Sequence, residues 1–259
     1  MQKFSHIELN HEIPIIAAAI HNGHLLSEEM EHLTALSAAE RLREEDPFTG
    51  GWAEISSNKI IANFSRFEVD LNRPPDKSVY LVPEDAWGLD LWHSGPPEEL
   101  VTQTRLKYAE FYESVRSGVN HLLEQHDKIV IYDLHSYNHR RQGPEQPPAD
   151  PELNPEVNIG TGTMDRKFWD PIVNRFLADM RSYNYFGRSL DVRENIKFKG
   201  GYFSRWIHEN FPKQVCCLSI EFKKFFMDEW SGEPDRAQLT EIKSLLKFTT
   251  TGVLEELEK

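Results

Sequence analysis

Three places in the sequence set histidine or carboxylate side chains directly after a short apolar run. Residues 13–20 lead into His21-Asn22-Gly23-His24, residues 128–132 into Asp133-Leu134-His135-Ser136, and residues 214–220 into Glu221. If these runs are neighbouring strands of an open sheet, their C-terminal ends border the crevice where such sheets take ligands. Two imidazoles and a carboxylate gathered there are the donor set of a catalytic zinc ion, which uses about three protein ligands and keeps one position open for water. A lone histidine after a strand is more often a satisfied core or surface group; the joint occurrence is what points to a metal. A fourth segment, after residues 59–64, reads Ser65-Arg66-Phe67-Glu68-Val69-Asp70-Leu71-Asn72-Arg73. Two guanidinium groups around a turn, with Asp70 to hold one of them, suit an anionic small substrate, because a guanidinium forks onto a carboxylate and stays charged. The competing reading is a structural arginine–aspartate pair on a turn, which the residues alone favour slightly.

Positioning such groups takes buried strands and covering helices. Residues 13–20 (IPIIAAAI) are apolar throughout, the pattern of a strand buried on both faces, and 59–64, 128–132 (KIVIY) and 214–220 (QVCCLSI) also read as strands. From Ser27 the segment SEEMEHLTALSAAERLREE has an N-cap serine and acids in its first turn, predicting a surface helix. Residues 100–126 repeat apolar side chains at three- and four-residue steps, through Leu106, Phe111, Val115, Val119, Leu122 and Leu123, predicting a long amphipathic helix. Residues 165–181 and 235–258 are helical in pattern. Residues 73–97 and the proline-rich 140–157 have no sustained period and read as loops. Asn158-Ile159-Gly160-Thr161-Gly162-Thr163 reads as a Gly- and Thr-rich loop, without the lysine of a phosphate-binding motif. The expected fold class is α/β, a three-layer α/β/α sandwich with a largely parallel sheet, in one domain over residues 1–259.

Composition narrows the partners. A net charge of −13 with no local basic patch argues against nucleic acid, whose phosphates would repel it. The longest apolar run falls well short of the roughly 20 residues a membrane span needs. The N-terminal stretch MQKFSHIELNHE has neither the positive start nor the apolar stretch of an export signal, and the two cysteines, Cys216 and Cys217, are adjacent inside an apolar run. A cytoplasmic location is therefore expected. Trp87 reads as a packing or loop-anchoring residue, and His139-Arg140-Arg141 first as a solvated loop and second as an aid to anion attraction. The sequence leaves a homo-oligomer open, since helix 100–126 could cover a second copy as readily as the sheet.

Taken in order, His21-Asn22-Gly23, Ser65-Arg66, Asp70-Leu71-Asn72-Arg73-Pro74-Pro75, Asp133-Leu134-His135-Ser136, Gly200-Gly201-Tyr202 and Ile220-Glu221 resemble the N-formylglutamate amidohydrolase family over residues 13–230. More remotely, the series is similar to aspartoacylase, succinylglutamate desuccinylase and the zinc carboxypeptidases. The resemblance implies a mixed, zinc-exopeptidase-like sheet flanked by helices and metal-assisted hydrolysis of an amide. It implies one divalent ion, zinc or another transition metal, held by His21, His135 and an acid matching Asp46. Glu45 and His24 are the alternatives for the third ligand, since His24 stands where the aspartoacylase pattern has a glutamate. Glu221 would be the general base, and Arg66 would polarise the scissile carbonyl. Asn72, Arg73, Gly201, Tyr202 and Arg205 would hold a small anionic N-acyl amino acid. Asp133 is read as a supporting group on the opposite strand face from His135. Another N-acyl amino acid or a peptide as substrate, or carboxylate binding without turnover, are the alternatives. The prolines of 140–157 and His24 set the chain apart from the form expected in histidine breakdown.

Overall fold

The apolar runs form the centre of a seven-stranded sheet with the order β1-β3-β2-β4-β7-β5-β6. The computed structural model describes residues 3–9 and 13–259, so part of the N-terminal stretch read for an export signal lies outside the described residues. The strands are β1 (Ser5–Glu8), β2 (Ile15–Ala19), β3 (Asn58–Ala62), β4 (Ile129–Tyr137), β5 (Val157–Gly160), β6 (Val192–Glu194) and β7 (Val215–Lys223). β3, β2, β4 and β7 run parallel, while β1 and β5 join antiparallel on either side and β6 pairs parallel with β5. The sheet is thus mixed, with four parallel strands at its centre. That is the arrangement expected when crossover helices cover both faces.

The helices are α1 (Glu28–Leu33), α2 (Ala38–Glu44), α3 (Thr49–Trp52), α4 (Glu98–Leu123), α5 (Asp170–Ser182), α6 (Tyr202–Asn210) and α7 (Arg236–Leu257). Alternation along each strand sorts the core into two layers. Ile15, Ala17, Val130, Tyr132, Cys216 and Leu218 pack with Phe176 of α5 and Leu246 of α7. Ile16, Ala18, Ile129, Ile131, Val215 and Cys217 pack with Phe111 and Val115 of α4 and Phe203 of α6. Each of the Ile, Val, Leu and Phe side chains among them contributes roughly 1.5–3 kcal/mol over its exposed state. The apolar stripe of α4 is spent on the sheet through Phe111, Val115, Val119 and Leu122, whereas Leu106, expected on that stripe, is 60% exposed.

On the second of these faces the same-side series changes character towards the C-terminal ends. On β4 it runs Ile129, Ile131, then Asp133, His135; on β7 it runs Val215, Cys217, then Ser219, Glu221. The two strands pair in register, with Asp133 opposite Ser219 and His135 opposite Glu221. The core therefore gives way to a polar floor at one end.

Several expectations need correction. β4 does not stop at Tyr132 but continues to Tyr137 with all nine residues buried, so His135 lies within the strand. Asp133 and His135 sit on the same face, as a two-residue period requires, not on opposite faces. The segment from Ser27 is two helices, not one. Thr34 is extended and bridges to Trp92, and Ser37 starts α2 with a capping box to Glu40. Residues 157–160 are a strand, not a loop. No strand or helix lies between Tyr137 and Val157, in keeping with the prolines there.

Candidate active site

The site is built where β2, β4 and β7 end and two connecting loops fold over them. His21 follows β2 within two residues, and its backbone C=O accepts the Asp46 N–H at 3.0 Å, stitching the α2–α3 loop to the strand end. From the other side, Lys224 Nζ donates to the carbonyls of Arg43 at 2.5 Å and Glu45 at 2.7 Å, tying that loop to the end of β7. Asp46 is thereby held over the sheet by both polar groups of the Glu45–Asp46 peptide. His21 Nδ1 lies 3.3 Å and His135 Nδ1 2.9 Å from Asp46 Oδ2, and one ligand atom from each of the three residues falls within 4.8 Å of the others. All three are buried.

Each imidazole is fixed from behind by a carboxylate. His21 Nε2 is 2.7 Å from Asp70 Oδ1, and His135 Nε2 is 2.9 Å from Asp133 Oδ1. With Nε2 committed, Nδ1 is the nitrogen that each ring turns inward, the arrangement that orients metal-binding histidines. Burial opposes a charge on Asp46, but hydrogen bonds from His135 and His21 outweigh it and hold the carboxyl well below its usual range. Burial likewise opposes the charge of His135, and Asp133 beside it overcomes this and raises the ring well above its ordinary value. Two inward nitrogens and an ionised carboxylate, each with its other side occupied, fit a divalent ion of the zinc type.

Residues 13–227 match the family model of N-formylglutamate amidohydrolase. The chain belongs to that family. Its fold is similar to a solved N-formylglutamate amidohydrolase from Ralstonia eutropha JMP134, with a TM-score of 0.74, 15% identity and 98% of each chain covered. It is also similar to a gene product of Agrobacterium tumefaciens, with a TM-score of 0.69, 16% identity, and 100% of this chain and 97% of that one covered. At such identities the likeness is one of fold. No curated protein matches the sequence.

The ten candidate residues His21, Asp46, Arg66, Asn72, Arg73, His135, Gly201, Tyr202, Arg205 and Glu221 all line one cleft of about 520 Å³. His24 and Glu45 are not among them. They pair with each other, Nδ1 to Oε2 at 2.6 Å, and Glu45 also accepts from Ser65 Oγ, so neither belongs to the three-residue cluster. Glu221 faces the same space beside His135. Burial pushes its carboxyl up to about 8, against the pull of His135 and with Asp46 and Asp133 adding to the rise.

Arg66 is immobilised by Asp70 at 2.8 Å, by the Glu44 carbonyl at 3.2 Å and by the Tyr80 hydroxyl at 3.2 Å, with its guanidinium 4.8 Å over the Trp87 ring. Three of its five N–H groups are used, which leaves one on each terminal nitrogen. Asn72 Oδ1 accepts the Phe203 N–H at 2.9 Å, capping α6 from another part of the chain and leaving the amide NH₂ as its donor towards the cleft. Gly201 is required by that contact, since a Cβ there would lie 2.2 Å from Asn72 Oδ1. Arg73 and Arg205 are exposed at the rim.

The cleft holds further residues. Trp87 stands at its mouth, 46% exposed, with the Arg66 guanidinium over its ring and the Tyr80 ring edge-on to it. Arg141 belongs to the wall, clamped on Glu44 by both terminal nitrogens at 3.1 and 2.8 Å. Asn138 and Lys224 lie directly after β4 and β7, and continuing the strand ends by one residue is the signal that would have found them.

Proposed function

We propose that the protein is a divalent-metal-dependent amidohydrolase that removes a formyl group from the nitrogen of an acidic amino acid, releasing formate and, from N-formyl-glutamate, glutamate. One observation carries the reading: two carboxylate-backed imidazoles converge on Asp46 while Glu221, opposite His135 in the strand register, lines the same cleft. His21, Asp46 and His135 would hold the ion, which when bound would acidify a water and polarise the amide carbonyl. Zinc suits this donor set.

The chain's own groups account for the remaining tasks. Glu221 takes a proton from the attacking water and returns it to the leaving nitrogen, and a carboxyl titrating near neutrality serves both transfers. The two uncommitted N–H groups of Arg66 stabilise the negative charge that builds on the carbonyl oxygen, and its three fixed contacts mean that little reorganisation is needed as the charge develops. Asn72 Nδ2, Arg73 and Arg205 receive the substrate carboxylates. The small formyl group leaves room for the amino-acid end towards the cationic rim.

The test is formate release from N-formyl-glutamate by purified protein of known metal content, before and after chelation. Activity that disappears with the metal and returns with zinc supports the reading; hydrolysis untouched by chelation rejects the metal assignment. Glu221→Gln is expected to keep its metal while losing turnover by two or more orders of magnitude. A variant that retains near-normal kcat removes Glu221 as the base.

A further inference from the structure

Lys197 lines the cleft and has no part in the scheme above. Its place is set by Asn158 of β5, a buried residue that stands opposite Glu221 in the antiparallel β5–β7 register. Asn158 Oδ1 accepts the Lys197 N–H at 2.8 Å, and Asn158 Nδ2 donates to the Phe198 carbonyl at 2.8 Å. The strand neighbour of Glu221 therefore grips the loop at Lys197 and Phe198. Four residues later the same loop reaches Gly201, which packs on Asn72. Four residues span at most about 14 Å, so Lys197 and the Asn72 turn are the two ends of one short cleft wall.

The ammonium at the far end is held in place but not neutralised. Lys197 Nζ donates to Asn154 Oδ1 at 2.5 Å and lies 5.1 Å from the centre of the Tyr137 ring and 5.6 Å from that of Phe198. Both rings line the cleft, and Lys197 itself is exposed there. Among the described residues no carboxylate pairs with it. An amide oxygen and two aromatic rings orient the charge without cancelling it, and two of its three N–H groups stay free. Partial burial and the like charge of Arg141 pull the group below the ordinary lysine range, against the opposing pull of Glu221. A fixed, partly desolvated cation without a counter-ion, standing in a binding cleft, is matched by an anion from the ligand.

The position of Lys197 decides which anion. Asn72 gives its N–H to Asp70 Oδ1, the atom that backs His21, so the Asn72–Arg73 end adjoins the metal ligands. Tyr137, against which the ammonium rests, is two residues beyond His135 on the same face of β4, one strand repeat or roughly 6–7 Å further along. In an N-acyl amino acid the α-carboxylate is carried by the carbon that bears the amide nitrogen, whereas a side-chain acid is set off by methylenes. The nearer cations suit the first and Lys197 the second.

We propose that Lys197 binds the side-chain carboxylate of the substrate, leaving the α-carboxylate to Asn72 and Arg73, and so selects dicarboxylic N-acyl amino acids over neutral ones of the same shape. This inference rests on the hydrolase reading above and names a specificity-determining residue within it. A side-chain amide of equal size offers the ammonium no charge and sets a second donor against it.

The experiment compares N-formyl-glutamate with N-formyl-glutamine, in which a neutral amide replaces the side-chain carboxylate. kcat and KM are measured in the wild type and in Lys197→Met, and calorimetric dissociation constants are measured in a Glu221→Gln background, where binding is read without turnover. Thermal melting checks the fold. The expected result is a fall of about 10- to 100-fold in kcat/KM on the glutamate compound, carried by KM, with a matching loss of its affinity in the inactive background and a loss on the glutamine compound at least several-fold smaller. Equal losses on both compounds, or none on the glutamate, overturn the proposal. A wild type that hydrolyses neither compound rejects the hydrolase reading. If that protein still binds N-formyl-glutamate more tightly than N-formyl-glutamine, and loses the preference in Lys197→Met, the carboxylate subsite stands; if it does not, both fall together.

Discussion

His21 and His135 turn the same nitrogen towards Asp46, yet they are held from behind by different kinds of support. Behind His135 stands Asp133, two residues away on the same strand, whose other side-chain partner is Ser219 Oγ at 3.3 Å. Behind His21 stands Asp70, 49 residues on, in a loop. Asp70 also takes Arg66 at 2.8 Å, the Asn72 N–H at 2.7 Å and the Tyr80 hydroxyl. Ladder pairing with β2 and β7 fixes the backbone of Asp133, so one or two side-chain contacts suffice. The loop has no ladder, and its side chains must supply the order themselves. Burial raises the cost of the Asp70 charge, and Arg66 and His21 reverse that, holding the carboxyl well below its usual range.

The largest expected effect therefore falls on the loop side. Asp70→Asn leaves Arg66 buried without its counter-charge, and breaking such a pair costs about 3–5 kcal/mol. Urea unfolding should show the midpoint falling with an unchanged slope. Asp133→Asn should cost much less stability, because the sheet still positions the backbone and His135 can remain neutral. Equal destabilisation of the two variants would break the contrast between strand and loop support.

His208 shows what a largely buried imidazole does with no carboxylate behind it. Its Nε2 accepts the Cys217 N–H at 3.0 Å and its Nδ1 meets Thr163 Oγ1 at 3.0 Å. Burial lowers it to about 4, the opposite direction from His135 beside Asp133. Because the folded value lies below the unfolded one of about 6.5, the stability linked to His208 is complete above that pH. It is lost as pH falls from about 6.5 to 4, amounting to about 3 kcal/mol at the lower end. Comparing the wild type with His208→Gln in urea at pH 7 and pH 4.5 subtracts the carboxylates that titrate in the same range. The wild type should lose more on acidification, and parallel losses would show that the ring is not held neutral.

The next effect is on metal rather than on fold. A carboxylate behind a ligating histidine typically contributes 10- to 100-fold in metal affinity. Asp133→Asn should weaken zinc by about that factor in a competition titration while melting near the wild type. Unchanged affinity would reduce Asp133 to a buried hydrogen-bond partner.

The same contrast decides what could be read from the sequence. The strands beneath the site announce themselves because burial on both faces demands unbroken apolar runs, as in residues 13–20 and 128–132. The edge strands β1 and β6 and their short neighbour β5 do not, being three or four residues long with exposed or polar positions. His135 and Glu221 are visible as chemistry beside apolar runs. Their true setting, within the strands, appears only when the same-face series Ile129, Ile131, Asp133, His135 is followed at a period of two, which also corrects the face of Asp133. Asp46 comes to His21 through the backbone contacts of a loop, and no local pattern encodes that; the family resemblance supplied it. Asn138 and Lys224 are legible as continuations of strand ends, but their partners Glu44, Arg43 and Glu45 lie far away in sequence, so only the folded chain reveals what they hold.

The smallest expected effect compares two arginines that share one aspartate. Arg66, with its side chain 12% exposed, is 2.8 Å from Asp70 Oδ2; Arg73, seven residues on, is 44% exposed and 3.8 Å away. The first is part of the scaffold that holds His21, and its removal should lower stability and kcat together. The second has no comparable internal bond to lose. Arg73→Ala should raise KM for N-formyl-glutamate about 10-fold, with kcat and melting temperature near the wild type, since it removes binding shared by ground and transition states. Because Arg73 is solvated, raising the ionic strength should shrink the difference between wild type and variant. A fall in kcat with KM unchanged would place Arg73 at the reacting end of the cleft, beside Arg66, and erase the distinction between buried and exposed arginine drawn from their distances to Asp70.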